Sequence, residues 1–248
     1  MKKLHRGGSN PDGEPLSAGR VEYLEAARQR VRRRRLRRTA ILLAALILVT
    51  LFATGAVGAS IARVKDLVDT VHIALSPAVG WPQQTGLGDL TAVQPMSGSF
   101  AAMDEDACVV YSLGGTRLAG IQSGYARPAL AAGKTRFVLY NRSGNELRVE
   151  SRTQNLYSKT LENSIYLCAM SDTGTLAVAT DSADSTARLT VYTPTMSEQL
   201  HWDMTGTQGT PVRMAFAADS RRLAVAAVTS SAGQLQANLF VLSLAQGD

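Results

Sequence analysis

Cysteine and histidine are scarce in this sequence of 248 residues, which contains two cysteines and three histidines. Cys108 and Cys168 cannot build a disulfide framework, and their spacing matches no zinc motif. The histidines, His5, His72 and His201, lie far apart, and none has a second ligand at metal spacing. The sequence also has neither a GxSxG nucleophile elbow nor an HExxH zinc motif. We therefore expect no metal, no cofactor and no catalytic residue, and we expect that the protein is not an enzyme.

The two cysteines lie in apolar, strand-like runs, ACVVY and IYLCAM. Free cysteine behaves as a small hydrophobic residue, so we expect two buried thiols. A disulfide between Cys108 and Cys168 is the alternative, if this part of the chain faces an oxidising exterior.

Negative charge is lacking in the first part of the chain, where positive charge is concentrated. Residues 1–38 hold 12 Lys and Arg against 4 Asp and Glu, whereas residues 39–248 hold 14 against 16. The overall charge of +6 therefore describes an N-terminal arm and not the whole protein. This split argues against a nucleic-acid-binding surface on the main domain.

Long apolar runs are absent except for one, which covers the 24 residues from 39 to 62 and carries no charge. As a helix it would extend about 36 Å, enough to cross a hydrocarbon core of about 30 Å. A cleaved signal peptide is one alternative, because VGA at 57–59 has the small residues of a cleavage site, but the apolar run and the preceding arm are long for one. A twin-arginine export signal is a second alternative, although its flanking pattern fits loosely.

A basic cluster precedes this predicted transmembrane helix. Lys and Arg are enriched on the cytoplasmic flank of a span, so we predict a plasma-membrane protein with its N-terminus inside and its C-terminal domain outside. The same side chains would favour anionic lipid headgroups. A nucleic-acid-binding arm is the alternative, but the cluster lacks aromatic residues for base stacking. The cluster comprises Arg28, Arg30, Arg32, Arg33, Arg34, Arg35, Arg37 and Arg38.

A juxtamembrane helix and a linker are predicted for residues 63–98. Within 63–75 the apolar residues fall on one helical face, and Ser76–Pro77 breaks the pattern. The rest of the linker is punctuated by Gly and Pro and has room for one short strand. The apolar residues of the helix are Val64, Leu67, Val68, Val71 and Leu75.

From residue 99 onward, short apolar runs alternate with polar turns, which is typical of consecutive antiparallel strands joined by hairpins. The segment AMSDTGTLAVAT (169–180) is similar to AFAADSRRLAVAAV (215–228), and RLTVYT (188–193) is similar to NLFVLS (238–243). The segment AGKT (132–135) directly precedes the strand-like run RFVLYN. We interpret AGKT as a hairpin turn and not as a phosphate-binding loop, because a strand and not a helix follows it. A repeat of about 40–50 residues is the pattern of β-propeller blades.

Two resemblances follow from these segments. The strand-turn-strand units with "SDTGTLAVAT" resemble those of WD-repeat-like and quinoprotein-like β-propellers, although the Trp-Asp dipeptide of true WD repeats is absent from its usual place. The layout of arginine-rich tail, single span, linker and "VYSLGGTRLAGIQSGYARPALAAGKTRFVLYNRSGNELRVES" resembles an uncharacterised family of bacterial single-pass membrane proteins with a domain of unknown function. That resemblance implies a propeller-like outer domain and supplies no catalytic residues.

The predicted fold is therefore mainly β: a basic cytoplasmic tail (1–38), a transmembrane helix (39–62), a juxtamembrane helix with linker (63–98) and a β-propeller-like domain (99–248). The last part has room for about three to four blades, so we expect an incomplete propeller or an open arc that needs a partner. The expected function is a membrane-anchored binding or scaffold module of the bacterial cell envelope, with the lipid bilayer and an envelope protein as partners. The alternatives are a propeller enzyme with its site in further blades, and a membrane-tethered nucleic-acid binder.

Overall fold

A computed structural model describes residues 57–244, and in this part of the chain one helix is followed by a series of β-strands. The helix, α1, spans Val57–Leu75 and so contains the juxtamembrane helix predicted for 63–75. Most of the predicted transmembrane segment, 39–62, lies outside the described residues. In the part of the chain that is described, no helix combines the length and the apolar character needed to cross a membrane.

Fifteen strands form four antiparallel sheets in residues 57–244. Sheet 1 contains β1 (Ala92–Met96), β2 (Ser99–Met103), β3 (Ala107–Ser112) and β4 (Arg117–Gln122). Sheet 2 contains β5 (Pro128–Ala132), β6 (Arg136–Asn141), β7 (Glu146–Ser151) and β8 (Asn155–Thr160). Sheet 3 contains β9 (Ile165–Met170), β10 (Leu176–Thr180), β11 (Ala187–Tyr192) and β12 (Glu198–Met204). Sheet 4 contains β13 (Thr210–Phe216), β14 (Arg222–Ser231) and β15 (Gln234–Ser243).

Within each sheet the strands pair in chain order, and the first strand is the inner one. β1 packs against β5, β5 against β9, and β9 against β13, so the four inner strands follow one another in a row. The fourth strands β4, β8 and β12 lie at the other edge, where most side chains are exposed or partly buried. The prediction of a mainly β, blade-type repeat is confirmed.

The core lies between successive sheets, in three layers. Alternate residues of β6 show the principle: Phe137 and Leu139 pack toward sheet 1, whereas Val138 and Tyr140 pack toward sheet 3. All four are buried, because a middle sheet has a neighbour on both faces. This explains why runs such as RFVLYN are continuously apolar instead of alternating.

The internal repeat found in the sequence has a structural counterpart. Leu176 of β10 and Leu223 of β14 are both buried on the side of their sheet that faces the preceding sheet. β11 and β15 likewise occupy the third position of sheets 3 and 4. The hairpin of sheet 4 is longer, since β14 and β15 each have ten residues.

The linker between α1 and β1 is attached to sheet 1. The Trp81 ring lies 5.7 Å from the Phe100 ring and 5.6 Å from the Tyr111 ring, and its Nε1 donates a hydrogen bond to the carbonyl of Leu113 at 2.9 Å. The Gly80 N–H donates to the carbonyl of Gly114 at 2.9 Å. The linker therefore covers the face of sheet 1 that is turned away from sheet 2. The predicted boundary at residue 99 falls between β1 and β2.

Candidate functional site

The basic cluster that the sequence singled out, Arg28–Arg38, lies outside the described residues. His5 lies there too, while His72 is on α1 and His201 is on β12, where its Nδ1 is 3.0 Å from Oε1 of Glu198. Residues 57–244 contain no group of three or more His, Cys, Asp or Glu side chains arranged to hold a metal ion.

Both cysteines are free and buried, as the first of the two interpretations predicted. Burial, with Glu150 and Asp104 contributing, raises the pKa of the Cys108 thiol to about 12. Burial also raises the pKa of Cys168. The thiolate is the reactive form of cysteine, so neither residue is suited to nucleophilic or redox chemistry.

The acidic stretch at 104–106 forms the turn between β2 and β3. Asp104 accepts hydrogen bonds from the backbone N–H groups of Gly88, Asp106 and Ala107 at 2.7–2.9 Å. These hydrogen bonds lower the pKa of Asp104, and the bond from Gly88 has the largest effect. The carboxylate therefore holds the linker against the turn.

The main polar constellation of the described residues joins α1 to sheet 2. Arg136 begins β6 and is 2% exposed, and its Nε lies 3.1 Å from Oδ1 of Asp66. Arg152 directly follows β7 and is 1% exposed, and its Nε lies 3.2 Å from Oδ2 of Asp69. Two buried guanidinium groups thus hold two carboxylates on one side of the helix. We call these four residues the helix-docking cluster.

Neutral groups complete the helix-docking cluster. Arg136 donates to the carbonyl of Pro194 at 2.7 Å. Arg152 donates to the carbonyl of Ser97 at 2.8 Å and to Oγ1 of Thr70 at 2.7 Å. The hydroxyl of Thr153 also donates to Asp69. The two arginines belong to sheet 2, and they also bind the turn between β1 and β2 and the turn after β11. The cluster therefore ties the helix to three parts of the β domain.

Local structure explains why these four residues meet. Asp66 and Asp69 are three residues apart in α1, which places them on the same helical face. Arg136 pairs with Ser151 across β6 and β7, so Arg136 and the residue after Ser151 lie at the same end of sheet 2. Ile73, one turn after Asp69, is buried on the same side of the helix.

The opposite face of α1 is apolar and exposed. Each of the five residues on this face has at least half of its surface exposed, so the helix docks through its charged face. They are Val64, Leu67, Val68, Val71 and Leu75. The predicted amphipathic helix is present, and its apolar side points away from the β domain.

Breaking a buried ion pair leaves one charge without its partner, which costs about 3–5 kcal/mol in typical proteins. The helix-docking cluster contains one such pair, Arg152–Asp69, together with the partly buried pair Arg136–Asp66 and several neutral hydrogen bonds. It therefore fixes the orientation of α1 instead of merely adding contacts. A cavity of about 310 Å³ lies beside it, lined by Ile73, Ser97 and Arg152 among others.

Sequence reasoning singled out none of the four residues of the helix-docking cluster. One signal was present, because the two aspartates lie opposite the apolar stripe of the helix. The partners could not be found from spacing, since they are about 70 and 83 residues away in the chain.

Solved structures with a similar arrangement are distant in sequence. Hsv2 from Kluyveromyces marxianus is 12% identical with a TM-score of 0.49, covering 64% of this chain and 48% of that protein. KlAtg21 in complex with the coiled coil of AgAtg16 is 13% identical with a TM-score of 0.49, covering 67% and 54%. BamB from Moraxella catarrhalis is 13% identical with a TM-score of 0.41, covering 54% and 42%. The chain spans about half the length of these proteins.

A search of curated proteins finds no match. A family model does match residues 79–246, which include all four sheets and most of the linker. Since the match covers more than half of the chain, the protein belongs to the family of unknown function DUF5711.

Proposed function

We propose that this protein is a membrane-anchored binding or scaffold module whose β domain is displayed outside the plasma membrane. The observation that carries the proposal is the helix-docking cluster. A helix that begins inside a charge-free segment of 24 residues is attached to the β domain by one buried and one partly buried ion pair. A rigid attachment at this position would hold the sheets in a defined orientation above a bilayer.

The exposed apolar face of α1 supports the same proposal. Five large apolar side chains in water are unfavourable, whereas next to acyl chains or lipid headgroups they are tolerated. α1 is too polar on its docked side to be buried in lipid all round. In a helix that leaves the membrane, the apolar face would lie near lipid while the charged face binds the β domain.

Charge supports the orientation. The cluster of eight arginines lies directly before the charge-free segment, whereas the β domain and linker have no basic excess. The arginines would remain at the cytoplasmic surface, in contact with anionic headgroups. The β domain would then meet its partners, envelope proteins in this proposal, on the outer side. No catalytic role is proposed for the β domain.

Reporter fusions test the orientation. A phosphatase that is active only outside the cytoplasm is joined after Asp248 or before Thr39, and activity is measured in intact cells. The proposal expects activity only for the fusion after Asp248. A matched variant with glutamine in place of the eight clustered arginines should show mixed orientation. Activity confined to the fusion before Thr39 would show that the proposed orientation is wrong.

A crosslinking pull-down from intact cells tests the binding role. The full chain is compared with a control that ends at residue 75 and so keeps the tail, the charge-free segment and α1. Envelope proteins captured by the full chain and lost with the control would support binding through the β domain. Identical capture by both chains would contradict it.

A further inference from the structure

The contacts of the helix-docking cluster lie at one end of the sheets. Ser97 is in the turn between β1 and β2, Arg152 is in the turn between β7 and β8, and Pro194 is in the turn after β11. Arg136 is the first residue of β6. Because the strands of each sheet are antiparallel and pair in chain order, the turns after the first and third strands share one end, and the turns after the second and fourth strands share the other. We call these the helix end and the far end.

The linker after α1 brings exposed apolar side chains to the helix end. It runs along the turn between β3 and β4, where the hydroxyl of Thr116 donates a hydrogen bond to the carbonyl of Pro77 at 2.6 Å. Nε1 of Trp81 donates to the carbonyl of Leu113, in the same turn, at 2.9 Å. Val79 is 63% exposed, Leu113 is 67% exposed and Trp81 is 47% exposed. We call these three residues the Trp81 patch.

The Trp81 patch continues the exposed apolar face of α1. Leu75, the last residue of α1, belongs to that face, is 79% exposed and lies four residues before Val79. A tryptophan ring is apolar except for its N–H, and in Trp81 this group is already bound to the protein. The exposed part of the ring therefore loses no hydrogen bond when it leaves water. Apolar surface thus extends from the helix onto the adjoining turn of sheet 1.

The two ends of the sheets differ in charge. The turns of the far end contain six Asp and Glu against two Arg, whereas those of the helix end contain three Lys and Arg against two Asp. A bilayer with anionic lipids repels acidic groups, so the far end is the less favourable end for contact with lipid. The turns of the far end are residues 104–106, 123–127, 142–145, 161–164, 181–186, 205–209 and 232–233. The turns of the helix end are residues 97–98, 113–116, 133–135, 152–154, 171–175, 193–197 and 217–221.

We propose that the β domain rests on the bilayer surface through the Trp81 patch, with its far end turned away from the lipid. Tryptophan is enriched where headgroups meet acyl chains, because its ring is apolar and its N–H is polar. The proposal rests on the membrane anchoring proposed above, and it adds which end of the β domain touches the bilayer. The acidic far end would then be the end that is open to protein partners.

Fluorescence quenching by lipid tests the proposal on the full chain. The sequence contains two tryptophans, so Trp202→Phe leaves Trp81 as the fluorescent indole, and Trp81→Phe leaves Trp202, which packs on Phe240. Each variant is reconstituted into vesicles of phosphatidylcholine and phosphatidylglycerol whose acyl chains carry bromine near the headgroup. Its emission is compared with that in vesicles without bromine. Trp81 should lose roughly half of its emission or more, because an indole at the interface touches the brominated chains, whereas Trp202 should lose little.

Tryptophans at other positions give matched controls. In a chain with both native tryptophans changed to Phe, Leu113→Trp places an indole in the Trp81 patch. Leu235→Trp places it on β15 beside the far-end turn at 232–233, where Leu235 is 82% exposed. Only Leu113→Trp should be quenched by the brominated lipid. Adding Val79→Glu to the Trp202→Phe chain should reduce the quenching of Trp81 about twofold or more, because a charge is unfavourable next to acyl chains.

Extraction with alkaline carbonate separates this proposal from the anchoring on which it rests. If the chain stays with the vesicles and Trp81 is not quenched, the chain is anchored but the Trp81 patch does not touch lipid, and this proposal alone is wrong. If the chain is extracted, the anchoring and this proposal are both wrong.

Two further results would overturn the proposal. Quenching of Leu235→Trp instead of Leu113→Trp would show that the far end faces the bilayer. Protection of Trp81 from acrylamide in the water, without quenching by the brominated lipid, would show that protein covers the Trp81 patch, from a second copy or from another chain.

Discussion

The helix-docking cluster makes a quantitative prediction for Asp69→Ala. This change removes the carboxylate and leaves Arg152, which is 1% exposed, without its ionic partner. Breaking a buried pair costs about 3–5 kcal/mol. Arg152 keeps neutral acceptors at Ser97 and Thr70, so the lower end, about 3 kcal/mol, is expected.

Two assays report the loss. For a domain of this size, about 3 kcal/mol corresponds to a decrease in Tm of about 6–12 °C if α1 and the β domain unfold together. If α1 instead separates locally, Tm falls less and the amide protons of residues 64–75 exchange faster. Measuring thermal unfolding and hydrogen exchange on the full chain covers both cases.

Two controls accompany Asp69→Ala. Asp203→Ala breaks the exposed pair with Arg188 and should change Tm little, because water already screens that pair. Asp69→Leu combined with Arg152→Met removes both charges and should restore much of the lost stability. If Asp69→Ala changes neither Tm nor exchange in α1, the argument that the pair holds the helix is wrong.

Three further predictions concern the sheets and the linker. Cys108, with its pKa raised to about 12, should react with iodoacetamide at pH 8 only after unfolding, as followed by mass spectrometry. The backbone hydrogen bond from Gly88 lowers the pKa of Asp104 below 3.8, so its stabilising contribution is present above that value and is lost as the pH falls through the lowered pKa. The amide signal of Gly88 in NMR spectra should therefore change below pH 3.8. Leu189→Ala should lower the free energy of unfolding of the β domain by about 2–5 kcal/mol. Leu239→Ala, at the exposed equivalent position, should lower it far less. Urea unfolding measures both changes.

Each of these predictions has a contradicting outcome. Alkylation of Cys108 in the folded protein would show that the thiol is accessible. A Gly88 amide signal that titrates only near neutral pH would separate it from Asp104. Equal destabilisation by Leu189→Ala and Leu239→Ala would mean that the two positions have similar surroundings, contrary to their exposure.

The repeat and the strands could be predicted from the sequence because they depend on neighbouring residues. Runs such as TLAVAT and RLAVAA are separated by turns with Asp and Gly, and strand pairs joined by a short turn are decided locally. The helix at 63–75 could be predicted for the same reason, since its apolar residues recur at helical spacing.

The tertiary structure decided which face of α1 docks on the β domain. Spacing showed that α1 has an apolar side and a charged side, and it could not show that the charged side is the one that docks. That depends on Arg136 and Arg152, which come from the same end of sheet 2 only after β6 and β7 pair. Likewise, Leu189 and Leu239 stand at equivalent positions of the repeat, yet one is buried and the other exposed. The sequence by itself determined the strands, the turns and the helix, whereas only the packing of distant sheets decided which equivalent surfaces are covered, because burial depends on neighbours that are far away in the chain.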